Sequence, residues 1–274
     1  MNHIIINADD LGLTNSVNKG IFEAIDAGVV SDVSLLAVGD GYDDAVKGLL
    51  ERNIKTIGLH FCIVDKEKPL SLPSEASLIC ENDGSFFTNR NRIFAKILFK
   101  KDETLKFIKR ELELQIKKIK NSGFKITHFD SHQHVHLFPG IADIFVETCY
   151  RHNIPFMRLP KTLSLRSPLT GFAVGIFAWR LERLLKKYNI KFVPFCGFEY
   201  SGCLTEEKLR KILIQAKQKF ASEFMVHPGK NDNYTQEKYA HWNYDWSSEL
   251  SLLLNNKHLI NDLSLKLINF EYLL

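Results

Sequence analysis

Short apolar runs of strand length, each followed by a stretch of helical period, recur along the whole 274-residue chain. That alternation marks parallel β/α units, because a parallel strand needs a crossover segment to bring the chain back to the same end of the sheet. The runs fall at residues 4–8, 33–38, 56–62, 125–130, 156–159, 192–195, 223–226 and 265–270. Between them lie helical segments. The first opens at Thr14, Asn15 or Ser16 and stops at Gly28, and a short one ends near Arg52. A basic one runs to Asn121, and others cover 141–150, 174–187, 206–220 and 246–254. About eight alternations predict a distorted (β/α) TIM-like barrel rather than an open sheet, and such barrels fold as one unit of roughly 250 residues. One domain over residues 1–274 is therefore expected. Residues 65–91, rich in Pro, Ser, Asn and Gly and without a steady period, read as a long excursion from the pattern.

Composition removes several function classes. Lys+Arg 36 against Asp+Glu 32 leaves a net charge of +4, too small an excess to point to nucleic acid. The bases gather between Arg90 and Lys120 and at Arg180, Arg183, Lys186 and Lys187, where solvated helix faces account for them. Five cysteines without a C-x-x-C pair suggest neither a disulfide framework nor a cysteine zinc site. The opening MNHIIINADD lacks the pattern of a signal peptide, so the expected location is cytoplasmic. The charge-free residues 167–179 are too few to cross a bilayer. A Walker loop, a G-x-G-x-x-G turn and a G-x-S-x-G elbow are all missing, which removes the usual residues of nucleotide, dinucleotide and serine-esterase chemistry.

The chemistry-bearing residues cluster at the C-terminal ends of the apolar runs: Asp9 and Asp10, His60, the tract from Asp130 to His136, Arg158 and His227. In a β/α barrel those ends open onto one face. Within THFDSHQHVHLFP, the residues His128, Asp130, His132, His134 and His136 share one face for as long as the chain stays extended. Two imidazoles and a carboxylate form a common catalytic metal set, and Asp10, His60 and one tract histidine supply it. Asp9 is then free to act as a base. His227 in FMVHPGK serves as a general acid if it faces the same mouth. Arg158 in FMRLP is costly to bury unpaired, so it either holds a carboxylate such as Asp9 or binds substrate; an orienting partner is favoured. The aromatic segment NDNYTQEKYAHWNYDW suits either stacking on sugar rings or helix packing.

The words NADDLGLT, GLHF, THFDSHQHVHLFP, MRLP and MVHPG, in this order between residues 7 and 229, resemble the YdjC-like carbohydrate deacetylases. That family includes chitooligosaccharide deacetylases and the deacetylase associated with hopanoid biosynthesis, and is related to polysaccharide deacetylases with a distorted β/α barrel. The resemblance implies a metal-dependent hydrolase that removes the acetyl group from an N-acetylated sugar, in an oligosaccharide or glycolipid. It implies Asp10, His60 and His132 as metal ligands, Asp9 as base and His227 as acid. His134, His136 and Arg158 are assigned to substrate binding or orientation. The implied cofactor is one divalent ion, Mg2+ or Zn2+, with Mn2+ or Co2+ as alternatives; two imidazoles favour the softer metals. Rival readings are a metal-dependent amidohydrolase or phosphoesterase, and a catalytically silent sugar-binding protein. The run PLTGFAVGIFAWRLERLLKK suits docking on a membrane surface, and equally a buried helix or a homodimer face.

Overall fold

The computed structural model describes residues 2–72, 75, 77–161 and 168–274, with side chains throughout these except at 168–171. Parts of the expected excursion at 65–91 and of the stretch leading into the apolar run at 168 therefore lie outside the described residues. The chain runs β1 (Asn2–Leu11), α1 (Asn15–Asp26), β2 (Asp32–Leu35), α2 (Tyr42–Glu51) and β3 (Thr56–Phe61). After the excursion come α3 (Arg90–Phe99), α4 (Lys101–Asn121), β4 (Lys125–Ser131), α5 (Ile141–Arg151), β5 (Phe156–Met157) and α6 (Pro168–Lys187). The last third holds β6 (Phe195–Cys196), α7 (Glu206–Ala216), β7 (Ala221–Val226), α8 (Asn233–Lys238), α9 (Trp246–Asn255), α10 (His258–Asp262) and β8 (Leu265–Leu267).

All strands join one parallel sheet in the order β5-β4-β3-β2-β1-β7-β6, and β8 pairs with the first residues of β1. The sheet curls into a half-barrel, and one parallel bridge between Phe156 and Lys191 links the chain entering β6 to β5. Alternation along β1 sends Ile4, Ile6 and Ala8 outward into the main core under the helices. Ile5, Asn7 and Asp9 take the other face, where they meet other strands in layers. At the bottom, Ile5 packs with Phe156, Ile268 and Phe270. One layer higher, Asn7 and Ser34 both hydrogen-bond His128, whose ring stacks on Phe270 at 4.1 Å. A Cβ on Gly58 would lie 2.2 Å from His128 Nε2, so the strand facing that ring can carry no side chain. The third layer holds Asp9, His60, Asp130 and Arg158.

Several expected boundaries change. β5 and β6 shrink to two residues each, and Phe270 leaves the eighth strand to plug the bottom of the sheet. The basic helix is two helices divided at Lys100 (φ −138°, ψ 54°). The break lets α3 swing out so that Phe94 stacks on Phe138 at 4.0 Å and Arg90 donates to Gln133 O at 2.6 Å. α6 has two faces: Ala178, Leu181 and Leu185 are buried, while Phe172, Ile176 and Trp179 are exposed. Among the described residues no helix is long and apolar enough to cross a membrane.

Candidate functional site

Register aligns the third layer. Ala8 pairs with Val226, which puts Asp9 and His227 at the same level just beyond. His60 pairs directly with Asp130, and Phe129 with Met157, so Arg158 falls beside Asp130. The Arg158 guanidinium is buried (2 % exposed) and grips both Asp9 oxygens, at 2.6 and 2.7 Å. It also lies 2.7 Å from Asp130 Oδ2, and its Nε donates to Glu223 Oε1 at 2.7 Å. Three carboxylates around one buried cation is a fixed arrangement, since each is expensive to leave unpaired. Burial opposes charge on Asp130, yet Arg158 and His60 hold it far below the usual carboxylate range. Burial dominates at Glu223 and pushes it up to about 7, against the pull of Arg158.

Above this frame the chain turns. Asp10 takes a left-handed conformation (φ 63°), which separates its carboxylate from that of Asp9 and directs the two to different partners. Asp10 Oδ1 lies 3.2 Å from His60 Nε2 and 2.8 Å from His132 Nδ1. The three ligand atoms all fall within 4.8 Å of one another. The remaining nitrogen of each imidazole is taken by a carboxylate: His60 Nδ1 by Asp130 at 2.7 Å, and His132 Nε2 by Asp65 at 2.9 Å. Burial opposes protonation of His60, but Asp130 and Asp9 push it up to about 9. Burial likewise opposes charge on His132, which Asp10 and Asp65 push well above its ordinary value.

This donor set fits a divalent ion. Two imidazoles and one carboxylate converge, and carboxylates orient each imidazole from behind, as in metal sites generally. Asp9, His60 and Asp130 also converge. There, however, the positive guanidinium of Arg158 already lies against both carboxylates, which makes that group the poorer host for a cation.

The trio sits in a cavity of about 330 Å³, also lined by Asp9, Arg90, His134, Phe198, Met225, His227, Trp242, Tyr244 and Trp246. That is the lower end of the size range of small-molecule sites. Trp242 lies over the His132 ring at 5.0 Å and is itself stacked on Tyr239 at 4.6 Å. The turn carrying His227 is fixed by close packing. A Cβ on Gly20 of α1 would stand 2.3 Å from the Gly229 backbone, and one on Gly229 would stand 2.8 Å from Trp246 Cβ.

A family model described as "YdjC-like protein" matches residues 3–259. The chain belongs to the YdjC-like family. A protein named carbohydrate deacetylase from Thermoanaerobacter pseudethanolicus is 32% identical over 160 residues, covering 58% of this chain and 61% of that relative. Another of the same name, from Brevibacillus brevis, is 26% identical over 98% of this chain and 99% of its own length. A crystal structure of a putative cellobiose-phosphate cleavage protein from Enterococcus faecalis shares the fold with a TM-score of 0.77 at 21% identity, covering 100% of this chain and 99% of that one.

In this YdjC-like chain the structure brings Asp9, Asp10, His60, His132, His134 and His227 to one cavity. It does not bring the histidine tract there as an extended strand. β4 ends at Ser131 and His132–Leu137 form a 3-10 turn in which Gln133 (φ 51°) and His134 (φ 53°) are left-handed. His132 and His134 reach the cavity, while His136 is buried behind it, bonded to Ser131 Oγ at 2.6 Å and Arg158 O at 3.2 Å. Burial pushes His136 down to about 3 and His134 well below its ordinary value, so both stay neutral. His128 points down into the second layer.

Three supporting groups, Glu223, Asn7 and Asp65, escaped the sequence reading, and Asp130 was placed at a strand end there without a role. Glu223 carried a signal, a charge inside an apolar strand, which is costly without a partner. Asn7 and Asp65 carried none. Asp65 (φ 63°) gathers His132, His241 at 2.8 Å, Trp242 Nε1 at 3.2 Å and the Gln133 amide.

Proposed function

We propose that the chain is a metal-dependent carbohydrate N-deacetylase, which hydrolyses the acetamide of an N-acetylated sugar to acetate and the free amine. The observation that carries the reading is the meeting of Asp10, His60 and His132 with Asp9 and His227 in one aromatic-lined cavity. Asp10, His60 and His132 would hold one divalent ion, which when bound polarises the acyl carbonyl and acidifies water. Asp9, gripped by Arg158, takes the proton from the attacking water. His227 gives a proton to the departing amine nitrogen. Trp242 and Tyr244, half-buried in the lining, offer aromatic surface against which a sugar ring packs while its hydroxyls bond the polar wall. Arg158, with its donors spent on carboxylates, orients Asp9 and leaves substrate contact to groups such as His134.

The test is acetate release from diacetylchitobiose, longer chitooligosaccharides and an N-acetylglucosaminyl lipid, after stripping the protein and reloading it with zinc, magnesium, manganese or cobalt. Metal-dependent release that is lost in Asp9→Asn and His132→Ala is the expected outcome. Equal rates in the variants would overturn the assignment, and phosphate release without acetate would favour the phosphoesterase reading.

The same proposal takes the sheet to be a distorted (β/α) barrel, supported by the Phe156–Lys191 bridge across its open side. A glycolipid substrate is favoured by one feature. The exposed Phe172, Ile176 and Trp179 of α6 lead into Arg183, Lys186 and Lys187, a sequence of apolar then basic side chains suited to an anionic bilayer surface. Sedimentation with anionic liposomes that leaves the protein in the supernatant removes that option.

A further inference from the structure

His227 is held by two residues, Tyr244 just before α9 and Glu249 in its first turn. Glu249 Oε1 accepts the His227 backbone N–H at 2.6 Å, and Glu249 Oε2 accepts the Tyr244 hydroxyl. The Tyr244 oxygen in turn lies 3.2 Å from His227 Nδ1, with the two rings edge to face at 5.5 Å. Glu249 itself is 4.0 Å from Nδ1, too far for a direct hydrogen bond. Tyr244 is therefore the link between the imidazole and the carboxylate.

With Glu249 as a carboxylate, the hydrogens of this link have one consistent arrangement. A carboxylate can only accept, and a tyrosine hydroxyl carries a single hydrogen. Burial and the neighbouring Glu249 push the Tyr244 hydroxyl well above its ordinary range, so the hydrogen stays on it. If it pointed at Nδ1, the phenol oxygen and the Glu249 carboxylate would face each other as two acceptors. Directed at Glu249, it leaves the phenol oxygen to accept, from the Gly202 backbone N–H and from Nδ1, which faces a lone pair unless it is the donor. We infer that Tyr244 and Glu249 are positioning residues that fix a proton on His227 Nδ1 and so reserve Nε2 for proton exchange with the reacting group. The inference rests on the reading of His227 as the proton donor to the leaving amine. With Nδ1 committed, a proton arriving on His227 has only Nε2 to occupy, and the same nitrogen releases it.

The test uses the full chain labelled with nitrogen-15 and long-range proton–nitrogen spectra of the histidine rings. His227 signals are identified by their loss in His227→Gln. At a pH where the ring is neutral, the parent shows His227 as the Nδ1–H tautomer, the one free histidine disfavours. Tyr244→Phe removes the acceptor and moves the ring to Nε2–H. Glu249→Gln gives the same move without loss of volume. There the His227 backbone N–H demands the amide oxygen, the amide NH2 turns to the phenol oxygen, and the Tyr244 hydrogen is redirected to Nδ1. Both variants lose about tenfold in kcat for acetate release with KM little changed, a part of what a general acid contributes. An Nε2–H ring in the parent, or an unchanged Nδ1–H ring in both variants, overturns the inference. The predicted tautomers in a protein that releases acetate from nothing would uphold the hydrogen-bond assignment while removing the deacetylase reading, so the two failures are distinct.

Discussion

One wall of the cavity is made by strand ends and the other by loops, and they hold their side chains by different means. On the strand side Asp9, His60, Asp130 and Arg158 are placed by parallel register, and every one of them is at most 2 % exposed. On the loop side, residue 65 and the stretch 239–246 come from segments without sheet hydrogen bonds. Two acidic hubs tie these segments together. Asp65 gathers His132, His241 and Trp242, and Glu67 takes Tyr239 and Lys238, the latter at 2.9 Å. The strand wall is over-determined by charge pairing, whereas the loop wall depends on single residues. Damage to the first should therefore appear in stability and catalysis together, and damage to the second chiefly in the metal and substrate.

The sharpest way to break that contrast is Arg158→Met, which leaves Asp9, Asp130 and Glu223 facing one another in the interior. A loss of about 3–5 kcal/mol is expected from urea unfolding, as for a buried ion pair that loses one partner. A loss under about 1 kcal/mol would show that the strand wall is not held by this charge cluster. Next comes Asp9→Asn, expected to cut acetate release by about 10²–10⁴-fold while one metal per chain still binds, measured by elemental analysis beside the kinetics. On the loop side, Asp65→Asn should weaken metal binding by about 10–100-fold in chelator competition, with folding stability nearly kept. A large stability loss there would erase the distinction between the walls.

The most gradual effect, spread over several pH units, concerns protonation. Burial pushes His136 down to about 3, below the ordinary histidine value in the unfolded chain, so its contribution to stability is full above pH ~6.5 and is lost as pH falls towards 3. Relative to His136→Gln, the parent should lose up to about 1.4 kcal/mol per pH unit below 6.5, read from paired denaturation curves. Parallel curves would mean that His136 takes up its proton without hindrance from the fold.

The contrast between the walls also explains what could be read in advance. Strand-borne groups announce themselves as polar residues that end or interrupt apolar runs, and the alternation of runs places them on one face. Asp9, Asp10, His60, Arg158 and His227 were legible on that ground. The histidine tract was legible as composition but not as geometry, because two left-handed residues, Gln133 and His134, turn it immediately after Ser131. No side-chain pattern demands that turn. Asp65 was hidden for a different reason: its four donors come from Gln133, His132, His241 and Trp242, and partnerships at such separations leave no local period. The division of the basic helix at Lys100 was equally silent, with neither glycine nor proline to mark it.

The contact of Gly20 with Gly229, and of Gly229 with Trp246, stacks α1, the turn after β7 and the start of α9 with no side chain between the first two. Such a contact behaves as a mutational dead end: a library saturated at position 20 would return glycine alone, because even one methyl group would have to displace the neighbouring main chain. The consequence reaches beyond tolerance. A helix formed by one segment acts as the spacer that sets the depth of a histidine some two hundred residues further along, so drift in the first segment is policed by the place the second must keep.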